Sequence, residues 1–351
     1  MYTVKISTRE GEDAKFMLRQ TVGGRGISKC GKYRFFLNEE IEDPDFWVVR
    51  GKGITHTETC RVAPENTILM LSEPRTIVNY PKKYRDQFAT LYTCQPEIRH
   101  KNKIHSHAIL PWFVGMKKEN GRTVYSLDYD TLKAMERPEK TKLISVITSN
   151  KAFTRGHQQR IAFVEKLKKH YGDTLDVYGR GYNGFEDKWD VLAPYKYHIA
   201  VENVSGECYW TEKIADCFLA GTYPIYSGCK NLGDSFPQGA YTQIDIGNFE
   251  AAVAAIDRVI ADQEYEKSRD LLDLCREMIL ERYNMFDFIA ACCDKLDPLR
   301  PKSEVTLKPA VTLLDWHNIY LYTVYHNFYK WKHALRKRFR GKSVLQSPQT
   351  K

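Results

Sequence analysis

The sequence predicts an α/β protein built from two doubly wound domains that face each other across a cleft. Three observations lead there. At 351 residues the chain is long enough to bury two separate cores without a metal or disulfide staple. Its first third holds short, β-branched or aromatic apolar runs of the kind that form strands buried on both faces. From residue 143 onward strand-like and helix-like segments alternate, the pattern of a parallel sheet with helices on both sides.

Taken in order, strands are expected at F-W-V-V (46–49), T-I-L-M-L (67–71), A-T-L-Y-T (89–93) and A-I-L-P-W-F-V (108–114), with a helix over 80–88. Residues 116–142 turn polar, with K-K-E-N-G-R and R-P-E-K-T-K, and read as the passage between domains. A second set follows: strand 143–148, a helix in which Ile161, Val164 and Leu167 share a face before Gly172 stops it, and strands at 175–179 and 197–202. A helix then starts near Thr211, and strand 223–226 comes after it. Helices over 248–263, 264–283 and 286–296 close the domain before L-D-P-L-R-P-K breaks the pattern. The expected boundaries are 1–138 for a first domain with its linker, 139–297 for the second and 298–351 for a helical basic tail.

Composition narrows the function. Nine cysteines form no C-x-x-C pair and no zinc-finger spacing, which suits reduced thiols and gives no metal site. No run approaches the roughly 18 apolar residues that cross a bilayer, and the first residues lack the apolar core of a signal peptide. A cytoplasmic protein is expected. The net charge of +9 is concentrated late, with seven cations and no acid between Lys330 and Lys342. Basic and aromatic residues do not interleave on a sheet, which argues against nucleic acid as partner.

The chemistry is expected at the carboxyl ends of the second domain's strands, where open α/β sheets bind ligands. V-E-N ends one strand and Y-W-T-E-K opens the following helix, so Glu202, Asn203, Tyr209, Thr211, Glu212 and Lys213 converge on one crevice. Thr211 can cap the helix, and free amides with the positive dipole end attract phosphate oxygens. Lys213 in the first turn runs against the usual charge preference of a helix. It either meets an anion bound there or is a solvated surface lysine. Glu202 either accepts from sugar hydroxyls or satisfies nearby backbone groups. Ser149 and Asn150 lie in the turn after the first strand, and Arg160 on the next helix offers a planar fork for a diphosphate unless it is a plain surface arginine.

The stretch from Y-K-Y-H-I-A-V-E-N through Y-W-T-E-K to P-I-Y-S-G resembles the signature of the family 10 glycosyltransferases, the α-1,3/1,4-fucosyltransferases, over about 140–250. The resemblance implies the GT-B architecture, with the second domain binding GDP-fucose, the first binding a glycan acceptor, and inversion without an essential metal or other cofactor. It matches Arg160 and Lys213 to diphosphate-binding cations and Asn203, Tyr209 and Glu212 to the nucleotide-sugar site. Tyr178 and Arg180 match by position only. Val201, Val204 and residues 227–230 depart from the family pattern. An inverting transfer needs a base on the acceptor side. L-M-L-S-E-P-R resembles the family segment that supplies it, so Glu73 is assigned as general base, the alternative being a turn acid.

From Leu313 on, Trp316, Tyr320, Val324, Phe328, Trp331, Leu335 and Phe339 form one helical stripe. With the cations of 329–342 this reads either as a helix touching an anionic membrane or as one packed back on the first domain. Together these readings predict a bacterial-type, cytoplasmic enzyme, peripheral on the inner membrane, that transfers L-fucose to a Gal-GlcNAc unit of surface polysaccharide or lipopolysaccharide. The alternatives are a relative using another GDP-sugar, or a non-catalytic sugar- or nucleic-acid-binding protein.

Overall fold

The computed structural model describes residues 1–75, 77–150 and 154–314. In the first domain the elements are β1 (Tyr2–Ser7), β2 (Tyr33–Leu37), β3 (Phe46–Arg50), β4 (Glu58–Val62), β5 (Thr67–Leu71), α1 (Lys82–Arg85), β6 (Thr90–Thr93) and β7 (Lys103–His105). Six of these strands form a wholly parallel sheet in the order β2-β1-β3-β5-β6-β7. The expected strands at 46, 67 and 89 are there. β1 and β2 escape a search for unbroken apolar runs because charged residues interrupt them. Lys5 of β1 is nevertheless buried, paired with Glu58 at 3.3 Å and lying over the Trp47 ring.

Two expectations for the middle of the chain are corrected. Residues 108–114 form no strand, because Pro111 has no amide to donate and Ile109 sits at φ +50. The segment is instead a buried crossing, with Ala108, Ile109, Trp112 and Val114 packed inside. The polar stretch that follows is structured: β8 (Met116–Glu119) and β9 (Arg122–Tyr125) make a hairpin, and α2 (Tyr129–Ala134) is capped by Asp128, which accepts from the Thr131 amide at 2.8 Å. Asn120-Gly121, both at positive φ, form the two-residue turn that the twist of a hairpin favours.

The second domain holds β10 (Lys142–Ile147), α3 (Arg155–Tyr171), β11 (Leu175–Tyr178), β12 (Tyr195–Gly206), α4 (Glu212–Leu219), β13 (Tyr223–Cys229), β14 (Thr242–Gln243), α5 (Phe249–Ala261), α6 (Glu264–Lys267) and α7 (Arg269–Glu281). Its five parallel strands run β11-β10-β12-β13-β14. The single helix expected over 264–283 is broken at Ser268, whose hydroxyl donates to the Gly239 carbonyl at 2.7 Å. The doubly wound α/β class is as expected, two parallel sheets joined by a buried crossing.

The domain limits differ from the expected ones. Trp112, Val114, Leu127, Tyr129 and Leu132 already belong to the second domain's core, so it begins well before 139. At the other end α8 (Met285–Cys293) packs Met285, Phe286 and Ile289 against Val4, Phe35 and Phe46 of the first sheet. Residues 303–307, expected to be part of a helical tail, form β15 (Ser303–Leu307), antiparallel to β4. The chain therefore returns to its first domain after completing the second. The apolar stripe beyond 314 and the membrane contact expected at 329–342 lie outside the described residues. Among the described residues no helix is long and apolar enough to cross a membrane.

Because α8 completes the first domain's core, Phe286→Ala is expected to cost about 3–5 kcal/mol in the first domain's unfolding transition. Denaturant titration followed in both domains tests this, and a loss confined to the second domain would refute the assignment.

Candidate active site

The site is built where β12 ends and α4 begins. Glu202 is fully enclosed there. Its carboxylate accepts from the Thr211 amide at 2.9 Å and from the Thr211 hydroxyl at 2.8 Å, and meets the Lys213 ammonium at 3.0 Å. The glycine of P-I-Y-S-G makes room for it, since a Cβ on Gly228 would stand 2.4 Å from Glu202 Cγ. Glu202 thus takes the second of its two readings. With every side-chain face covered it does not reach a sugar hydroxyl, and it is corrected from a ligand contact to a support for the start of α4.

Lys213 is not a solvated surface lysine, and in this structure its ammonium is already paired. Its side chain is 23% exposed and its three protons already find Glu202, Glu212 Oε1 at 3.4 Å and Thr211 Oγ1 at 3.2 Å. Burial opposes its charge, but the two carboxylates outweigh that and hold its pKa well above the ordinary lysine value. Burial likewise works against the charge of Glu212, yet Lys213 and Lys188 together pull its pKa down to about 2. Thr211 caps α4 as expected, its hydroxyl accepting from the Lys213 amide.

Arg160 arrives from α3. A Cβ on Gly156 would be 2.0 Å from the Asn203 carbonyl oxygen, so a glycine there lets the first turn of α3 lie directly on the end of β12. The guanidinium donates to Asn203 Oδ1 and, at 3.5 Å, to Ser149 Oγ. It is 6% exposed, not a surface arginine, and its Nε is buried with no partner among the described residues. That leaves donor capacity for a ligand, which Lys213 lacks unless it exchanges a carboxylate.

Two cavities of about 540 Å³ each meet at Glu212 and Lys213. One lies within the second domain and is lined by Ser149, Arg160, Arg180, Tyr182, Lys188 and His198. The other is the cleft between domains, where Glu73, Arg50 and Lys52 of the first domain face Asn203, Tyr209 and Thr211 of the second. Glu73 stands just past the carboxyl end of β5. Burial raises its pKa above the usual carboxylate value, with Lys52, Lys213 and Arg50 opposing and Glu212 assisting. A larger cavity of about 990 Å³ adjoins Glu202 and Asn203 and is lined by Lys166, Lys230 and Phe249 among others.

Of the residues expected here, Ser149, Arg160, Asn203, Tyr209, Thr211, Glu212, Lys213 and Glu73 do line these two cavities. Tyr178 does not. Its hydroxyl is 2.7 Å from that of Tyr195 at the start of β12, so it points back along the sheet. Asn150 is exposed and shapes the loop from outside, its amide bonded to the Arg180 carbonyl at 3.0 Å and its side chain against Gly181.

Lys188, Asp216, Tyr182 and His198 were not anticipated. Asp216 follows Glu212 by four residues, so one helix face carries both. It takes Lys188 at 2.7 Å on one oxygen and the Phe113 and Val114 amides on the other, tying the site to the crossing segment. Lys188 opens a short 3-10 helix (Lys188–Val191) whose start is capped by Asp187, which accepts from the Trp189 amide at 2.8 Å. His198 is bound to Ser145 Oγ at 2.8 Å, and burial lowers its pKa to about 3, so it is neutral.

Residues 137–270 match the family described as glycosyltransferase family 10 (fucosyltransferase) C-term. Over 100 residues the chain is 32% identical to the α-(1,3)-fucosyltransferase FucT of Helicobacter pylori, a stretch that covers 26% of this chain and 21% of that protein. Among solved structures, an α1,3-fucosyltransferase with GDP is 18% identical with a TM-score of 0.48, the alignment covering 78% of this chain and 82% of that one. Anabaena Alr3699/HepE in complex with UDP is 8% identical with a TM-score of 0.48, covering 84% and 100%. The stretch matched to the family contains Arg160, Asn203, Tyr209, Glu212 and Lys213, the cluster that lines both cavities. Over residues 137–270 the second domain of this chain is thus similar to the C-terminal domain of the family 10 glycosyltransferases.

Proposed function

We propose that the chain is an inverting glycosyltransferase that moves L-fucose from GDP-fucose to a hydroxyl of a glycan, GlcNAc of a Gal-GlcNAc unit in α-1,3 linkage, in the synthesis of bacterial surface polysaccharide or lipopolysaccharide. The observation that carries this reading is the meeting of two cavities at Glu212 and Lys213, with Glu73 on the opposite wall of the cleft. The family match and the similarity to an enzyme named as an α-(1,3)-fucosyltransferase support fucose as the sugar.

In this reaction the nucleotide lies in the second domain's cavity and presents the anomeric carbon at the junction. The acceptor hydroxyl attacks in line from the cleft and passes its proton to Glu73, while the bond to the diphosphate breaks through a state with oxocarbenium character. Charge grows on the leaving diphosphate. Arg160, with its spare donors, and Lys213 stabilise it, and Lys188 stands behind them. Among the described residues no group of three or more His, Cys, Asp or Glu side chains is arranged to hold a metal ion, and in this proposal the cationic side chains take the electrostatic task.

GDP is expected to raise the melting temperature of the full chain, and Arg160→Ala to weaken GDP binding about 10- to 100-fold, as loss of charged hydrogen bonds does. Calorimetry checks both, and a wild-type chain indifferent to GDP would refute the donor site. Glu73→Gln is expected to lower kcat about 10²- to 10⁴-fold with GDP affinity unchanged. Glu73 works as a carboxylate, so wild-type turnover should rise with pH through a pKa above the ordinary carboxylate value. That acidic limb should be missing from the residual rate of the Gln variant. Unaltered turnover by this variant would remove Glu73 from the mechanism.

A further inference from the structure

Arg50 ends β3 beside Glu73, at the carboxyl edge of the first sheet, and lines the cleft. It is 2% exposed, yet among the described residues no carboxylate forms an ion pair with it. Its fork has one carbonyl, that of Ile109 at 3.3 Å, and one weak thioether contact, Met17 Sδ at 3.9 Å, and its Nε is buried without a partner. The chain treats its structural buried arginines differently. Arg19 shares the unpartnered Nε, but its terminal nitrogens donate to three carbonyls, those of Leu127, Trp112 and Val114, and it lies over the Trp112 ring at 4.2 Å. Arg276 donates to the carbonyls of Leu132 and Met135.

A guanidinium buried beside a cavity with most of its donors unused is costly unless something occupies the cavity, and its planar fork fits an oxyanion. Lys52 adds a second cation at the same place. It is exposed, lines the same cleft, and has no ion-pair partner among the described residues. It is held at the rim by Gly51 and Gly53, both at positive φ, and a Cβ on Gly53 would lie 2.4 Å from Tyr84 Oη. The acids on this wall do not form an ion pair with the fork. Asp13 is taken by Lys118 at 2.8 Å, and Glu10 and Glu73 act on Arg50 only through space.

We propose that Arg50, with Lys52 at the rim, is a subsite for an oxyanion carried by the acceptor glycan, a sugar carboxylate or phosphate next to the unit that receives the new bond. This rests on the reading of the cleft as the acceptor side. The anion docks on the fork while the hydroxyl to be glycosylated lies beside Glu73, so the charged substituent sets which hydroxyl faces the base.

The test is calorimetry on the full chain saturated with GDP. Three probes are compared: a Gal-GlcNAc disaccharide, the same unit bearing a glucuronic acid, and the same unit bearing a phosphate on galactose. The wild type is expected to bind one or both acidic probes about 10- to 100-fold more tightly than the neutral one. Preference for the glucuronic acid identifies a carboxylate, and preference for the phosphate a phosphorylated acceptor. Arg50→Met is expected to abolish the preference and Arg50→Lys to keep part of it, with GDP affinity unchanged in both. No preference in the wild type, or one that survives in the Met variant, overturns the subsite. If the Met variant fails to fold, the wild-type comparison and the Lys variant still decide. Failure of the wild type to bind GDP counts against the donor reading and is seen separately.

Discussion

The buried pair of Glu202 and Lys213 is the interaction on which the site depends. Neither charge stays enclosed alone, since removing one partner of such a pair typically costs about 3–5 kcal/mol. Their attraction is completed by Thr211, which gives both its amide and its hydroxyl to Glu202. Three local features follow from that requirement: the threonine that caps α4, the glycine at 228 that leaves space for the carboxylate, and the placing of a lysine in a first helical turn. The same pair sets the direction of α4, and so carries Glu212 and Asp216 to their positions.

Charge around this pair is balanced. Lys188, Arg160 and Lys213 face Glu202, Glu212 and Asp216, so the site is organised before any ligand arrives. In the proposed reaction a diphosphate competes with Glu212 for Lys213, while Arg160 has donors to spare. Asp216 links the two cavities. It holds Lys188 on one side and the backbone of the crossing segment on the other, and Phe113 of that segment lines the cleft. Occupancy of one cavity and the shape of the other thereby share a carboxylate.

Much of the second domain was legible. Its strands are compact apolar runs, its helices carry caps at Thr154, Thr211 and Asn248, and glycines stand where backbone approaches are close. The first domain was legible only where strands lack charge. β1 and β2 are hidden by Lys5, which distant Glu58 and Trp47 cover, and by Arg34, which is exposed on the outer face of β2. The hairpin at 116–125 announced itself through Asn120-Gly121, and the polarity around it hid that signal. The break between α6 and α7 has no helix-breaking residue, because Ser268 is held by a carbonyl far away in the chain.

The sequence by itself determined the α/β class, the crevice at the end of β12 and the residue types that line it, because these follow from local periodicity and from short-range spacing along one strand and one helix. Only the tertiary structure decided what each residue does there. Glu202 became a support and not a contact, Lys213 a paired ion and not a surface lysine, and Tyr178 an outsider, since burial and pairing depend on neighbours remote in sequence. It also decided that α8 and β15 return to the first domain. An apolar helical face states that it must be covered, but not which sheet will cover it.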